Sequence, residues 1–143
     1  MAKCTVQMPE DFLLKVSKLA DRTDEILPKV LDAGAEVVEK RVRKNLQGVI
    51  GKGNKEKDRS TGQLLSALGT SRPMQDRDGN FNVKVGFAEN RTDGENNAKL
   101  ASILEYGKHG QSPRPFLKPA KTQSKHECVQ AMIDKLESEV NAI

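Results

Sequence analysis

Apolar residues recur every three or four positions along two long stretches of the chain, and this spacing predicts two long amphipathic helices. The first stretch follows Thr23 and Asp24, which are candidate caps, and Pro28 falls within its first turn or so. Its apolar stripe spans about six turns and consists of Leu27, Val30, Leu31, Gly34, Val38, Val42, Leu46 and Val49. The opposite face carries Glu36, Lys40, Arg43 and Lys44, a mixed-charge pattern typical of a solvated helix surface.

The second long stretch runs from Pro119 onward and predicts a C-terminal helix. Its apolar positions are Ala120, Val129, Met132, Ile133, Leu136 and Val140. Three shorter helices are predicted at residues 9–20, 63–68 and 98–106, the last of which Gly107 is expected to end by taking a left-handed conformation.

Alternation of apolar and polar residues predicts strands at two places. Residues 3–8 alternate over a short distance and indicate a strand with one buried face. Residues 70–75 and 81–87 flank the sequence Asp78-Gly79-Asn80, whose residue types favour a tight turn, so they predict a β-hairpin. Together, the elements predict an α+β fold. A small, mostly antiparallel sheet is flanked by a long helix in the N-terminal half and a C-terminal helix.

Composition narrows this picture to one domain with a lean core. The chain has 143 residues, of which 36% are hydrophobic and 3% aromatic, so we expect residues 1–143 to form a single domain. A small domain with few large apolar side chains often depends on partner subunits for part of its stability. The composition therefore favours an oligomer.

The stretch at residues 51–59 interrupts the helical pattern and predicts a flexible, basic loop. It is rich in Gly, Lys and Asn, and it is longer than the usual connection between elements. Its cations are Lys52, Lys55, Lys57 and Arg59. They are candidate contacts to phosphates, which leaves open a rival function as a non-specific nucleic-acid-binding module.

The overall charge is only mildly basic. Lys and Arg number 24 against 20 Asp and Glu, for a net charge of +4, whereas tight nucleic-acid binders usually concentrate many more cations on one face. Cys4 and Cys128 lie far apart and outside any CxxC spacing, so no disulfide framework is expected and synthesis in a reducing cytosol is favoured. We also expect a soluble protein, because we find neither a secretory signal nor an apolar run of about 18 residues.

The sequence offers little for catalysis. His109 and His126 are the only histidines, and neither stands in a metal-binding HExxH pattern. Cys128 lies two residues from His126, a spacing that points the two side chains in different directions on a helix. Gly51-Lys52-Gly53 lacks the spacing of a phosphate-binding loop. We therefore expect no enzyme, no metal and no cofactor.

Three separated segments carry a resemblance to a known family. Residues 60–68 read STGQLLSAL, residues 100–107 read LASILEYG, and residues 113–120 read PRPFLKPA. In this order, they resemble the tail-completion, or minor tail component, family of lambda-like long-tailed bacteriophages. Many of its members have Tyr-Ala where this chain has Leu100-Ala101, which keeps an apolar anchor. The residues that match the family's motifs are Thr61, Gly62, Leu64, Glu105, Tyr106, Gly107, Arg114, Pro115, Phe116, Leu117 and Pro119.

The resemblance implies a structural protein of the virion. Such subunits form a ring, expected to be a hexamer, between the head connector and the tail tube. The implied partners are the head-side connector or adaptor, the tail-tube or tail-terminator proteins and, in passing, the genomic DNA. We expect the protein to assemble in the host cytoplasm without a membrane. The basic loop at residues 51–59 is then expected to become ordered on assembly, lining the channel or reaching a neighbouring ring.

Several motif residues also make physical sense without the family. Thr61 can bond an orphan amide at the start of its helix, and Gly62 allows a tight turn there. Arg114 lies between two prolines, where its guanidinium is predicted to pair with the Glu105 carboxylate. Phe116 and Leu117 are predicted to anchor the core.

Overall fold

Helices account for most of the chain that the computed structural model describes, which is residues 3–7, 9–50, 63–88 and 96–143. The helices are α1 (Glu10–Asp21), α2 (Thr23–Val49), α3 (Gln63–Ala67), α4 (Asn97–Tyr106) and α5 (Leu117–Asn141). The strands are β1 (Leu68–Thr70), β2 (Met74–Gln75), β3 (Phe81–Asn82) and β4 (Val85–Phe87). The predicted α+β class, with one long helix in the N-terminal half and another at the C-terminal end, is confirmed.

The helices α2 and α5 lie antiparallel and form the framework of the fold. Near one end, the Asn45 side-chain amide donates to the Phe116 carbonyl over 3.3 Å. Near the other, Lys29 and Glu139 approach to 3.5 Å. Between these points, a Cβ placed on Gly34 would lie 2.7 Å from Cγ of Met132, so the absence of a side chain lets the two helices pack closely.

The strands form a hairpin whose ladder is interrupted. β1 pairs antiparallel with β4, with Leu68 opposite Phe87, and β2 pairs antiparallel with β3, with Gln75 opposite Phe81. Between the two ladders lies Pro73, which has no amide to donate. The hairpin was predicted at this place. The break in its ladder was not.

The core lies where α2, the β1–β4 ladder, α4 and the start of α5 meet. Its centre is Phe116, which has no exposed surface and whose ring meets that of Phe87 edge-on, with centroids 6.1 Å apart. The other buried residues of this cluster are Val42, Leu46, Leu68, Ala101 and Ala120. Because these are mostly medium or small side chains, the single phenylalanine contributes a large share of the buried apolar volume.

Three local predictions are wrong. Residues 3–7 are exposed and form no strand, because an alternating pattern gives a strand only where a partner supplies hydrogen bonds. Thr23 does not cap α2: its hydroxyl donates to the Leu19 carbonyl of α1 over 2.9 Å. Leu27 remains 37% exposed, and Ile26 is buried in its place.

None of the helices within the described ranges is long and apolar enough to cross a membrane.

Candidate functional site at the junction of α4 and α5

The junction between α4 and α5 is organised by one buried carboxylate. Glu105, near the end of α4, is 5% exposed. Its side-chain oxygens accept hydrogen bonds from the backbone amides of Phe116 and Leu117, each at 2.8 Å, and of Lys118 at 3.0 Å. These amides belong to the residue before α5 and to its first two residues, so they have no carbonyl partner within the helix. A carboxylate on one helix therefore caps the next helix.

Burial and hydrogen bonding act in opposite directions on this carboxyl. Burial raises the pKa of Glu105, because it disfavours the charged form. The three amide donors lower it, and the nearby charge of Lys118 lowers it further, so the net pKa lies below the ordinary value for a glutamic acid. The side chain is therefore ionised at neutral pH, as the positive end of a helix dipole favours.

The chain between the two helices turns sharply at Gly107. The residue has φ 78° and ψ 178°, a backbone conformation that is essentially restricted to glycine. A Cβ placed there would lie 2.8 Å from the Gln111 carbonyl oxygen and 2.9 Å from the Pro113 nitrogen. The amide of Arg114 then donates to the Leu104 carbonyl over 2.7 Å, which returns the chain to the end of α4. The prediction that Gly107 ends α4 is confirmed, but its ψ of 178° differs from that of the left-handed conformation that was expected.

Substituting alanine for Gly107 is expected to destabilise the fold by about 1–3 kcal/mol through backbone strain alone. Contact with the Gln111 backbone adds to this cost because backbone atoms cannot move aside as a flexible side chain can. Urea unfolding followed by circular dichroism measures the effect. Gly48→Ala is the matched control, since a Cβ there meets nothing within 4 Å and alanine favours the helix. Equal stability of the two variants would contradict the role given to Gly107.

The residues matching the third segment are divided between the core and the surface. Phe116 is fully buried, and Leu117 packs half-buried against the same cluster. Pro119 lies within the first turn of α5, where a proline is tolerated. Pro115 is exposed. The prediction that Phe116 and Leu117 anchor the core agrees with these positions.

Other motif residues lie further from the junction or on its surface. Tyr106 is 77% exposed, although it directly follows Glu105. Leu64, on α3, is half-buried against the core cluster. Thr61 and Gly62 lie outside the described residues, as do the four loop cations Lys52, Lys55, Lys57 and Arg59.

The predicted ion pair between Arg114 and Glu105 is wrong. Glu105 is occupied by the three amides at the start of α5, and the Arg114 guanidinium donates to the Val49 carbonyl at a long 3.4 Å. Val49 is the last residue of α2, where carbonyl groups lack partners within the helix and a cation is favourable. Arg114 therefore links the end of α2 to the junction.

A second polar cluster was missed by the sequence analysis. Arg43 donates to the carbonyls of Leu65 and Leu68, each at 3.2 Å, and to the Glu39 carboxylate at 3.0 Å. The Thr70 hydroxyl donates to the other Glu39 oxygen over 2.7 Å. Arg43 thus lies half-buried rather than on a solvated face. The spacing of Glu39 and Arg43, four residues apart, was the one available signal.

The described residues offer no metal centre, because no three of their His, Cys, Asp or Glu side chains are grouped closely enough to hold an ion. His109 and His126 are both exposed. The arrangement holds α4, α5 and the end of α2 in a fixed relation. The geometry therefore supports a rigid subunit with defined outer surfaces.

Comparison with known proteins gives one family. The model described as "Bacteriophage HK97-gp10, putative tail-component" matches residues 10–107, which extend from α1 to the glycine that ends α4. Neither the curated proteins nor the solved structures gave a significant match. The match covers more than half of the chain and includes two of the three motif segments. The chain therefore belongs to the HK97-gp10-like family of bacteriophage tail components.

Proposed function

We propose that this protein forms a ring in the neck of a long-tailed phage, between the head connector and the tail tube. The ring, a hexamer, completes the tail, allows it to join a filled head and leaves a channel through which the DNA passes. Membership of a tail-component family is the observation that carries this proposal. We place the ring in the neck because the three motif segments resemble those of tail-completion proteins.

The distribution of apolar surface supports an assembling subunit. Large apolar side chains are exposed along α1 and α5, including Phe12 at 51%, Leu14 at 55% and Val129 at 49%. Monomeric proteins rarely expose large contiguous apolar patches, and such patches usually mark interfaces. The function proposed here is mechanical rather than catalytic: the subunit must present fixed faces to its neighbours.

The junction described above suits that task. In a closed ring, every subunit meets its two neighbours through two different faces, so the faces must keep a constant relative orientation. The Glu105 cap and the Arg114 contact tie α5 to α4 and to the end of α2. Residues 1–143 act as one domain in this proposal. The basic loop at 51–59 lines the DNA channel or reaches an adjacent ring.

The proposal is tested by interrupting the gene with a stop codon in the phage that encodes the chain. Electron microscopy of the lysate should show DNA-filled heads and separate tails of normal length, because joining is the step that fails. Adding the purified protein to this lysate should restore infectivity. Intact, infectious particles in the absence of the protein would refute the proposal.

Other defects would assign the protein to a different position or task. Tails of uncontrolled length would indicate a tail terminator, and heads that lose their DNA would indicate a head-side adaptor. The rival function as a nucleic-acid-binding module predicts something else. The purified monomer would then bind short DNA with a steep dependence on salt, and head–tail joining would proceed without it.

A further inference from the structure

The helix α1 has an apolar face that the described part of the chain leaves uncovered. None of its twelve residues is buried. Phe12 and Val16 are 51% and 47% exposed, and Leu19 is half-buried beside them on the same face. A helix of this length is marginally stable in water without a surface to pack against.

The connection between α1 and α2 prevents α1 from folding back onto its own α5. Arg22 alone separates the two helices. Its amide bonds to the carbonyls of Lys18 and Leu19, and its carbonyl accepts from the amides of Glu25 and Ile26. The chain therefore passes from one helix to the next with no loop in which it could reverse. The described residues therefore leave this face of α1 open to another molecule.

A second uncovered apolar face lies on α5. Val129, Ile133 and Leu136 are 49%, 43% and 39% exposed, and their spacing of four and then three residues places them on one stripe. Phe12, Val16 and Leu19 have the same spacing. In the seven-residue repeat of coiled coils, whose positions are lettered a to g, each set places two residues at d and one at a. Side chains at these two positions pack between the helices.

Charge indicates how the two stripes would align. Consider α1 and α5 placed parallel, with Phe12 level with Val129. Lys15 of α1 then stands at position g of one heptad, and Glu137 of α5 stands at position e of the next heptad. That combination forms the interhelical ion pair of parallel coiled coils. Both side chains are exposed. An antiparallel alignment would instead place Lys15 beside Met132 and form no such pair.

We propose that α1 of one copy of this chain docks parallel onto the Val129–Ile133–Leu136 stripe of α5 in a neighbouring copy. Each copy then gives α1 to one neighbour and receives α1 from the other, which is the head-to-tail contact that a ring requires. This inference rests on the proposed ring and names the surfaces that close it.

The experiment uses the full chain with substitutions on either face. Phe12→Gln with Val16→Gln alters the donor face, and Val129→Gln with Ile133→Gln alters the acceptor face; Met74→Gln, at a residue 59% exposed on β2, is the matched control. Light scattering over a range of concentrations should find a multimer for the wild type and the control. Each double variant should be monomeric, and its circular dichroism should lose no more helix than the twelve residues of α1 contribute.

Mixing the two double variants gives the sharpest result. Each retains one intact face, so the mixture should form dimers and stop there. Lys15→Glu and Glu137→Lys should each weaken assembly severalfold, and combining them in one chain should restore it. Multimers in either double variant, monomers in the mixture, or no rescue by the charge exchange would overturn the proposal.

Failure here is distinguishable from failure of the proposed function. A wild-type chain that stays monomeric at every concentration would overturn docking between copies, while the stop-codon experiment would still decide whether the protein joins heads to tails. If only the donor-face variant were monomeric, α1 would dock elsewhere on the neighbouring copy, and the assignment to α5 would be wrong.

Discussion

Glu105→Ala is expected to lower the free energy of unfolding by about 3 kcal/mol, since three amides lose a charged acceptor and a buried donor left without a partner costs about 1–3 kcal/mol. The sum is smaller than three full penalties because the first turn of α5 can fray and let water reach some of the amides. Urea unfolding at neutral pH measures the loss. Glu127→Ala is the matched control, since Glu127 is exposed on the same helix that Glu105 caps.

The dependence of stability on pH separates the cap from simple loss of packing. Because the pKa of Glu105 is lower in the folded state than in the unfolded state, the carboxylate contributes stability that is fully present above the ordinary, unfolded pKa. This contribution is lost as the pH falls through the lower, folded value. Glu105→Gln keeps the size of the side chain and removes the titration.

The wild type and Glu105→Gln should therefore differ most at neutral pH and converge in acid. A difference that stayed constant from pH 7 down to the acid transition would show that the charge of Glu105 contributes nothing, and that the two side chains differ only in their uncharged hydrogen bonds. Acid unfolding of both proteins under identical salt gives the answer.

Periodicity was enough to predict the large elements of this fold. The stripes of α2 and α5 repeat over many turns, so an error at one residue, such as Leu27, does not change the assignment. Gly107 was predictable as well, because a glycine after an apolar helix commonly marks its end. Residues 3–7 were not, since their alternation is too short to show whether a partner strand exists.

The sequence did not allow us to predict which groups the polar side chains bind. Both motifs that meet at the junction were recognised, and the sign of each charge suggested that Arg114 and Glu105 would pair. The structure shows instead that each binds a helix end: Glu105 takes amides at the start of α5, and Arg114 reaches the carbonyl of Val49 at the end of α2. Which backbone group stands beside a side chain depends on how the helices pack, and that information is not local.

Phe116→Ala is expected to be the most damaging substitution in the described core, with a loss of about 3–5 kcal/mol. Phe116 is the largest of the fully buried side chains, and its ring packs edge-on against that of Phe87. Its neighbours include two alanines, Ala101 and Ala120, which are too small to fill the cavity that the substitution leaves. Thermal and urea unfolding should show a loss close to the whole stability of a marginal domain.

Tyr106→Ala is the matched control, because it removes an aromatic ring from the same motif region. Tyr106 is 77% exposed, so its ring contributes little to the core. Its effect should stay within about 0.5 kcal/mol. Phe116→Leu should fall between the two, since leucine restores most of the volume but not the edge contact with Phe87. The three variants together separate ring volume from ring position. Equal losses for Phe116→Ala and Tyr106→Ala would mean that the junction is not the centre of the core, and the rigidity attributed to the subunit would then need another source.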